Sequence, residues 1–382
     1  RKKLKQNNKK INIVIKKTKN QSCSIFGSCL ITNIKNQESP KWLKDRLSAV
    51  GLRPISAVVD ITNYIMLDLN RPLHAYDLDK INKKIIVRES KKNEKLSALD
   101  NKDYNLSDGM CVIADEDGPL GLGGIIGGTT TSTELSTKNI LIESAYFDPS
   151  ITRKTSNLLN LNSDAKYRFE RGIDPSSIED GLQKAAEMIT QICGGETSKF
   201  QIINTKKISP REIQLDNDFS SKVLGIKIDI KEIISILEKL GFKCKKNKKN
   251  ILVKIPSWRP DINGKIDLVE EIIRIKGLDS INSIEPEKIR INQTLNNHQK
   301  HFHLTQRSIA AKGYLEAITW SFANEKTNNL FLNSKMSHKL INPISSDLGV
   351  LRSSIFSNLV EKVRENIDRG ENNISLFEIG PI

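Results

Sequence analysis

Pro256-Ser257-Trp258-Arg259-Pro260-Asp261, followed by Ile266-Asp267-Leu268-Val269-Glu270-Glu271-Ile272-Ile273-Arg274, sets four carboxylates beside a Pro-flanked strand end and on the first turns of an apolar helix. Asp267, Glu270 and Glu271 fall at i, i+3 and i+4, so they share one helical face, with Asp261 shortly before them. Acids crowded that closely repel one another unless a cation or an arginine sits among them. A hard divalent ion such as magnesium prefers oxygen ligands and is the natural guest. The same spacing also describes a solvated face whose acids favour the helix N-terminus.

Working outward, these acids close a small unit. Asp229 with Glu232 three residues on reads as a capping box, Ile230, Ile233, Ile234, Leu237 and Leu240 keep helical spacing, and Gly241 ends the helix. Two strands at 242–245 and 251–255 flank the turn-like Lys246-Asn247-Lys248-Lys249-Asn250. Helix, hairpin and helix over 210–282 predict a winged-helix-like module, a shape that meets nucleic acid or another subunit.

Before it, the alternation at 24–34, a helical pattern at 40–50, an apolar run at 55–64 broken by Asp60 and Asn63, and short strands up to Asp148 predict mixed sheet and helices over 22–205. A helix over 178–193, stopped by Gly194-Gly195, completes that domain. After it, helices at 305–313 and 353–367 with strands at 316–322 and 374–379 predict a module of mixed helix and antiparallel sheet over 290–382. The fold class is α+β, multidomain. Residues 1–21 are basic and acid-free, with a short alternation at 11–15, and read as a linker or the remnant of a missing domain. The start at Arg1 and the stop in an apparent strand and turn lead us to expect a piece of a longer polypeptide.

At 382 residues the chain exceeds one ordinary core. A net charge of +15 argues for a polyanionic partner, although a Lys-rich codon bias gives the same figure. Five cysteines form no CxxC pair and read as free thiols in a reducing cytoplasm. No apolar run approaches the ~20 residues that span a bilayer.

Other constellations carry two readings each. Gly121-Leu122-Gly123-Gly124-Ile125-Ile126-Gly127-Gly128 is not GxGxxG and lacks the Lys-Ser/Thr of a phosphate loop, so its glycines serve either a pocket floor or a tight sheet bend. His74, in what reads as a loop from Leu69 to Asp77, is either surface or functional. Glu143 ends the apolar run Ile140-Leu141-Ile142 and is either an outward charge or a buried acid needing a partner. His298, His301 and His303 have strongly polar flanks and read as a solvated helix start rather than a metal site.

Together the runs at 58–77 (VVDITNYIMLDLNRPLHAYD), 123–128, 143–148, 163–175 (SDAKYRFERGIDP) and 256–277 resemble the β chains of bacterial phenylalanyl-tRNA synthetases, in the same order and over nearly the whole chain from Ser24. The resemblance implies an editing domain, the module with the acidic helix, and a truncated class II synthetase-like module without catalytic activity. It implies an editing pocket of Thr62, Asn63, His74, Gly124, Glu143 and Ala165 that hydrolyses tyrosine wrongly esterified to the tRNA for phenylalanine. It makes Asp261, Asp267, Glu270 and Glu271 magnesium ligands, some acting through water or bridging to a partner chain. Arg352-Ser353-Ser354 and Phe377-Glu378 stand where an active class II module would offer an arginine closely followed by an acid to hold ATP. With no such pair, ATP is expected to be the substrate of a partner α subunit in an α2β2 heterotetramer, with this chain supplying tRNA binding and docking.

Two rival classes stay open. A non-catalytic nucleic-acid-binding scaffold predicts basic binding without ester cleavage, and a metal-dependent hydrolase on the acidic helix predicts turnover lost on chelation.

Overall fold

The computed structural model describes residues 6–16, 21–205, 208–286, 295–332 and 337–382. Two units, 1–283 and 284–382, divide the chain.

Strand Cys23–Thr32 is the axis of the first unit, because every one of its residues is buried and so both of its faces need cover. Ile25, Cys29 and Ile31, with Ile140 and Ile142 of the adjacent strand Ile140–Phe147, face helices Ala57–Leu69 and Ile178–Cys193. Phe26 and Leu30, with Leu141, Ala145 and Phe147, face the other way, onto Ile85, Val87 and Ile113 of a second sheet. The two-residue period of a strand thus sorts one sequence into two cores. The first sheet runs Gln6–Asn7, Glu196–Ser198, Cys23–Thr32, Ile140–Phe147, His74–Asp77, with Gln201–Asn204 also paired to the axis. The second runs Ile126–Gly127, Pro119–Leu122, Cys111–Ala114, Lys84–Glu89, Asn12–Ile15.

Two expectations change here, and one run takes its assignment. The basic start is not simply a linker: 6–7 and 12–15 are strands at the edges of the two sheets, while 1–5 and 17–20 of that start lie outside the described residues. His74 belongs to a strand, not a loop, since His-Ala-Tyr-Asp alternates with Ala75 toward the helices and Tyr76 toward the second sheet. The apolar run at 55–64 is helical from Ala57 on, and Asp60, which interrupts it, is buried and accepts hydrogen bonds from Ser39 Oγ at 2.5 Å and the Ile55 amide at 2.8 Å.

Residues 212–276 add a three-stranded antiparallel sheet in the order Glu212–Asp216, Asn250–Lys254, Lys243–Lys246, covered by helices Phe219–Leu224, Ile230–Lys239 and Lys265–Lys276. Asp229 caps its helix through the Lys231 amide at 2.7 Å, whereas Glu232 pairs with Lys276 instead of closing a box. The module meets the larger domain where Ser176 and Ser257 hydroxyls lie 2.9 Å apart.

In the second unit the helix with the three histidines runs Asn297–Ala310, capped by Asn296 and Gln299. The sheet there is not wholly antiparallel: Leu315–Glu316 pairs parallel with Leu376–Phe377, and Phe322–Ala323 antiparallel with Val350–Leu351.

Arg71 ties the first unit together. Fully buried, it donates to the Ala145 carbonyl at 3.0 Å, to Ser177 Oγ at 2.7 and 3.0 Å, and to the Asp174 carbonyl. Burial pulls its pKa down to about 10, so it stays charged at neutral pH. Gly181 leaves room for it, since a Cβ there would stand 2.7 Å from Arg71 Cγ. Arg71→Met is expected to destabilise this unit by about 3 kcal/mol in a urea melt, because the buried Ala145 carbonyl and the half-buried Asp174 carbonyl both lose this donor. A midpoint unchanged from the parent chain rejects that role.

Candidate functional site

The alternation that builds the two cores also aims Glu143 inward. Leu141 and Ala145 on either side of it face the second sheet, so Glu143 faces the space between the sheets and is only 6 % exposed. A buried acid needs a donor. Tyr76 supplies one, its hydroxyl donating to Glu143 Oε2 at 2.6 Å. Burial pushes the Glu143 carboxyl up to about 7, while the Tyr76 hydrogen bond favours the ionised form and pulls the other way. Burial likewise raises the Tyr76 phenol, so it stays protonated as the donor.

His74 lies directly across the sheet from Glu143, and its ring meets Tyr76 edge-on, with centroids 4.3 Å apart. Its Nε2 is buried and has no hydrogen-bond partner. Burial lowers the imidazole pKa to about 4, so the ring is neutral at pH 7.

A hollow of about 90 Å³ sits over these groups, lined by His74, Tyr76, Gly124, Glu143, Ala165 and Phe169 among others. Its wall is the hairpin Pro119–Leu122 to Ile126–Gly127. Gly124 has φ +72°, and a Cβ there would stand 2.9 Å from Phe147 and 3.0 Å from Phe169. At Gly127 a Cβ would come within 2.7 Å of His74 Nε2. Ser163 fixes the opposite wall: it caps the short helix Asp164–Phe169 through the Lys166 amide at 3.0 Å and donates to the Ile125 carbonyl at 2.6 Å.

The structure therefore gathers His74, Gly124, Glu143 and Ala165 around one hollow. Thr62 and Asn63 do not line it. Both ride on helix Ala57–Leu69, where Thr62 Oγ1 donates to the Val59 carbonyl at 2.7 Å. Tyr76 is the residue that motif reading missed. Its signal was the alternation His74-Ala75-Tyr76, which puts both rings on one face.

The four acids around the 265–276 helix do not converge. Arg259 lies between two of them, 2.6 Å from Asp261 and 3.0 Å from Glu271, and Arg274 reaches Glu271 at 2.7 Å. Hydrogen bonds from Arg259 hold both carboxyls below their ordinary range. Asp267 accepts from the amides of Asn263 and Gly264 at 2.7 and 2.8 Å and so caps the helix, while Glu270 is exposed. As arranged, these side chains do not fit a magnesium ion, and among the described residues no group of His, Cys, Asp and Glu is disposed to hold a metal. Arg259 and Arg274 thus offset part of the charge of these acids.

A larger hollow of about 700 Å³ opens where the module meets the domain, with Trp258, Lys243, Lys254, Arg211 and Tyr146 among its lining residues. Lys243 and Lys254 are direct cross-strand partners, an arrangement of like charges that is unfavourable without an anion. In the second unit, Arg352 and Glu378, far apart in sequence, form a buried ion pair at 2.6 Å, and Arg352 also reaches Thr319 Oγ1 at 3.0 Å and the Pro381 carbonyl at 3.0 Å. Its guanidinium is thereby occupied within the fold. Among the described residues no helix is long and apolar enough to cross a membrane.

Comparison with known proteins places this geometry. Residues 22–194 match the B3/4 domain, 213–278 the tRNA synthetase B5 domain, and 281–382 the phenylalanyl tRNA synthetase beta chain CLM domain. The phenylalanine–tRNA ligase beta subunit of Bartonella henselae is 42% identical over 362 residues, 94% of this chain and 45% of that one. That of Paramagnetospirillum magneticum is 41% identical over 361 residues, with the same coverage. The chain thus spans about 45% of the length of these relatives. A crystal structure of an N-terminal fragment of the phenylalanyl-tRNA synthetase beta-subunit from Pyrococcus horikoshii is 16% identical and overlaps 71% of this chain and 76% of that chain with a TM-score of 0.35, so the assignment rests on the sequences. Three successive domain matches and such relatives along almost all of its length carry one conclusion: this chain belongs to the phenylalanine–tRNA ligase β-subunit family.

Proposed function

We propose that the hollow over Glu143 is an editing site, which hydrolyses tyrosine wrongly esterified to the tRNA for phenylalanine, within a cytoplasmic ligase whose α subunits use ATP to activate phenylalanine and pair with β subunits as α2β2. The observation that carries this reading is a buried acid facing a hollow, directly across the sheet from an unpartnered imidazole nitrogen. A synthetic pocket that merely fits phenylalanine rejects an added hydroxyl only modestly, so a second site has to recognise that hydroxyl. Glu143 can accept a hydrogen bond from a phenol. Phenylalanine offers none and leaves a desolvated acceptor unpaired, at a cost of about 1–3 kcal/mol, or roughly 5- to 150-fold in selectivity.

His74 suits holding the attacking water better than taking its proton. A base with a pKa of about 4 is weak at pH 7, whereas a neutral ring nitrogen with no partner is free to bind a water. At about 90 Å³ the hollow is small beside ordinary ligand pockets, so an entering ring must part the glycine hairpin from the Phe147–Phe169 pair, whose centroids lie 5.1 Å apart. Gly124 and Ala165 keep that route free of side-chain bulk. Thr62 and Asn63 would act only by supporting the strand behind the site.

For tRNA, the larger hollow offers two exposed lysines and the exposed ring of Trp258, a pairing suited to phosphates and a stacked base. Glu212, across from Lys254 on its other side, leaves this edge net positive. The scaffold reading shares that prediction and differs only in expecting no hydrolysis. For magnesium at Asp261, Asp267, Glu270 and Glu271, a bridging ion would have to displace Arg259.

Assembled with an α subunit, the chain is expected to deacylate Tyr-tRNA at least about fivefold faster than Phe-tRNA, with Glu143→Ala abolishing the preference. Equal rates in the parent complex would falsify the editing claim. Lys243→Glu with Lys254→Glu should weaken tRNA binding and flatten the slope of log K against log salt by about 2, and an unaltered slope removes the cleft from the tRNA path. Calorimetric titration should show Arg259→Gln binding magnesium more tightly than the parent chain. If removing the guanidinium changes nothing, it does not compete for these acids.

A further inference from the structure

We infer that Tyr76 is a positioning residue for specificity: its phenol holds one oxygen of Glu143 so that the other faces the hollow, ionised, as the acceptor for a substrate phenol. This rests on the editing reading above and adds a residue to it.

His74 and Tyr76 alternate on one strand and so point the same way, with Glu143 opposite the first and Leu141 opposite the second. Tyr76 therefore reaches Glu143 on the diagonal, a distance that long aromatic side chains span. Its hydroxyl lies 2.6 Å from Oε2, and the edge-on packing of His74 at 4.3 Å restrains the ring. The second carboxylate oxygen has no hydrogen-bond partner among the described residues, yet it is not sealed in, because Glu143 lines the hollow. One phenol is thus already docked on one side of the acid, and the vacant side is left for another. Without Tyr76 the carboxyl would be free to rotate and, in this dry setting, to take up a proton. A protonated Glu143 would compete with the substrate as a donor instead of accepting from it.

The other titratable groups around Glu143 are His74 and Tyr76 on its neighbouring strand, Cys23 on the axial strand and Cys111 on the second sheet. Burial raises both thiols, Cys111 to about 12, and keeps the imidazole neutral above about pH 4. Glu143 is then the member of this cluster that titrates near neutrality. Tyr76 favours its ionised form, so deleting the hydroxyl moves its titration to higher pH.

The test follows deacylation of Tyr-tRNA and Phe-tRNA from pH 5 to 9 by the α–β complex carrying the parent chain, Tyr76→Phe, Glu143→Ala or Glu143→Gln. The parent preference should rise with pH through a midpoint near 7. Tyr76→Phe should move that midpoint up by about one unit and cut the preference at pH 7 about five- to tenfold, and Glu143→Gln should flatten the profile. A merely structural role would lower both rates together, and the thermal melt, without moving the midpoint. If Tyr76→Phe keeps the parent midpoint and preference while Glu143→Ala loses the preference, the inference falls and editing stands. If no complex hydrolyses Tyr-tRNA, or Glu143→Ala retains the preference, the editing reading fails and takes this one with it.

Discussion

A carboxylate buried between two sheets has to be met by a donor, and the hydrogen bond from Tyr76 to Glu143 is the contact on which the site depends. It exists because the Cys23–Thr32 axis and its neighbour Ile140–Phe147 are covered on both faces, by helices on one side and by a second sheet on the other. A strand exposed on one face could turn an acid to water. Here that outlet is closed, so Glu143 is solvated by protein groups and by whatever enters the hollow. The same enclosure leaves His74 neutral, and it explains how two groups that are ordinarily charged or surface-bound come to face one another in a dry space.

Legibility in the sequence followed the reach of each interaction. Helices whose signals are local stood out: the apolar spacing of 178–193 with glycines after it, and the Asp229-capped repeat up to Gly241, occupy the residues their patterns announce. The run at 55–64 did not, because Asp60 looks like a break until Ser39 and the Ile55 amide are brought to it by folding. Strands at the sheet edges were hidden for a related reason. Residues 6–7 and 12–15 pair with segments more than 70 residues away, and no local pattern encodes such a pairing.

Within the site, motif reading supplied His74, Gly124, Glu143 and Ala165, which one hollow brings together, and missed Tyr76, whose importance lies in a bond between strands 67 residues apart. The acidic helix teaches the converse. Spacing alone says that carboxylates are close, yet it does not say what neutralises them, and Arg259, only two residues from Asp261, does so by folding back onto Glu271. A charge cluster in sequence is a question about its counterion, and the answer is often a neighbour in the chain.

The glycine hairpin bears on how such a pocket can change over evolutionary time. At Gly124 and Gly127 the wall is bare main chain pressed against two phenyl rings and an imidazole. Main chain held in a tight hairpin cannot be resculpted by exchanging side chains, and a side chain added there would meet those rings before it could reshape the chamber. Innovation in what the chamber admits is therefore confined to the facing wall, to Ala165, Phe169 and the acid itself. On the editing reading, lineages that altered their substrate would carry that record at these few positions.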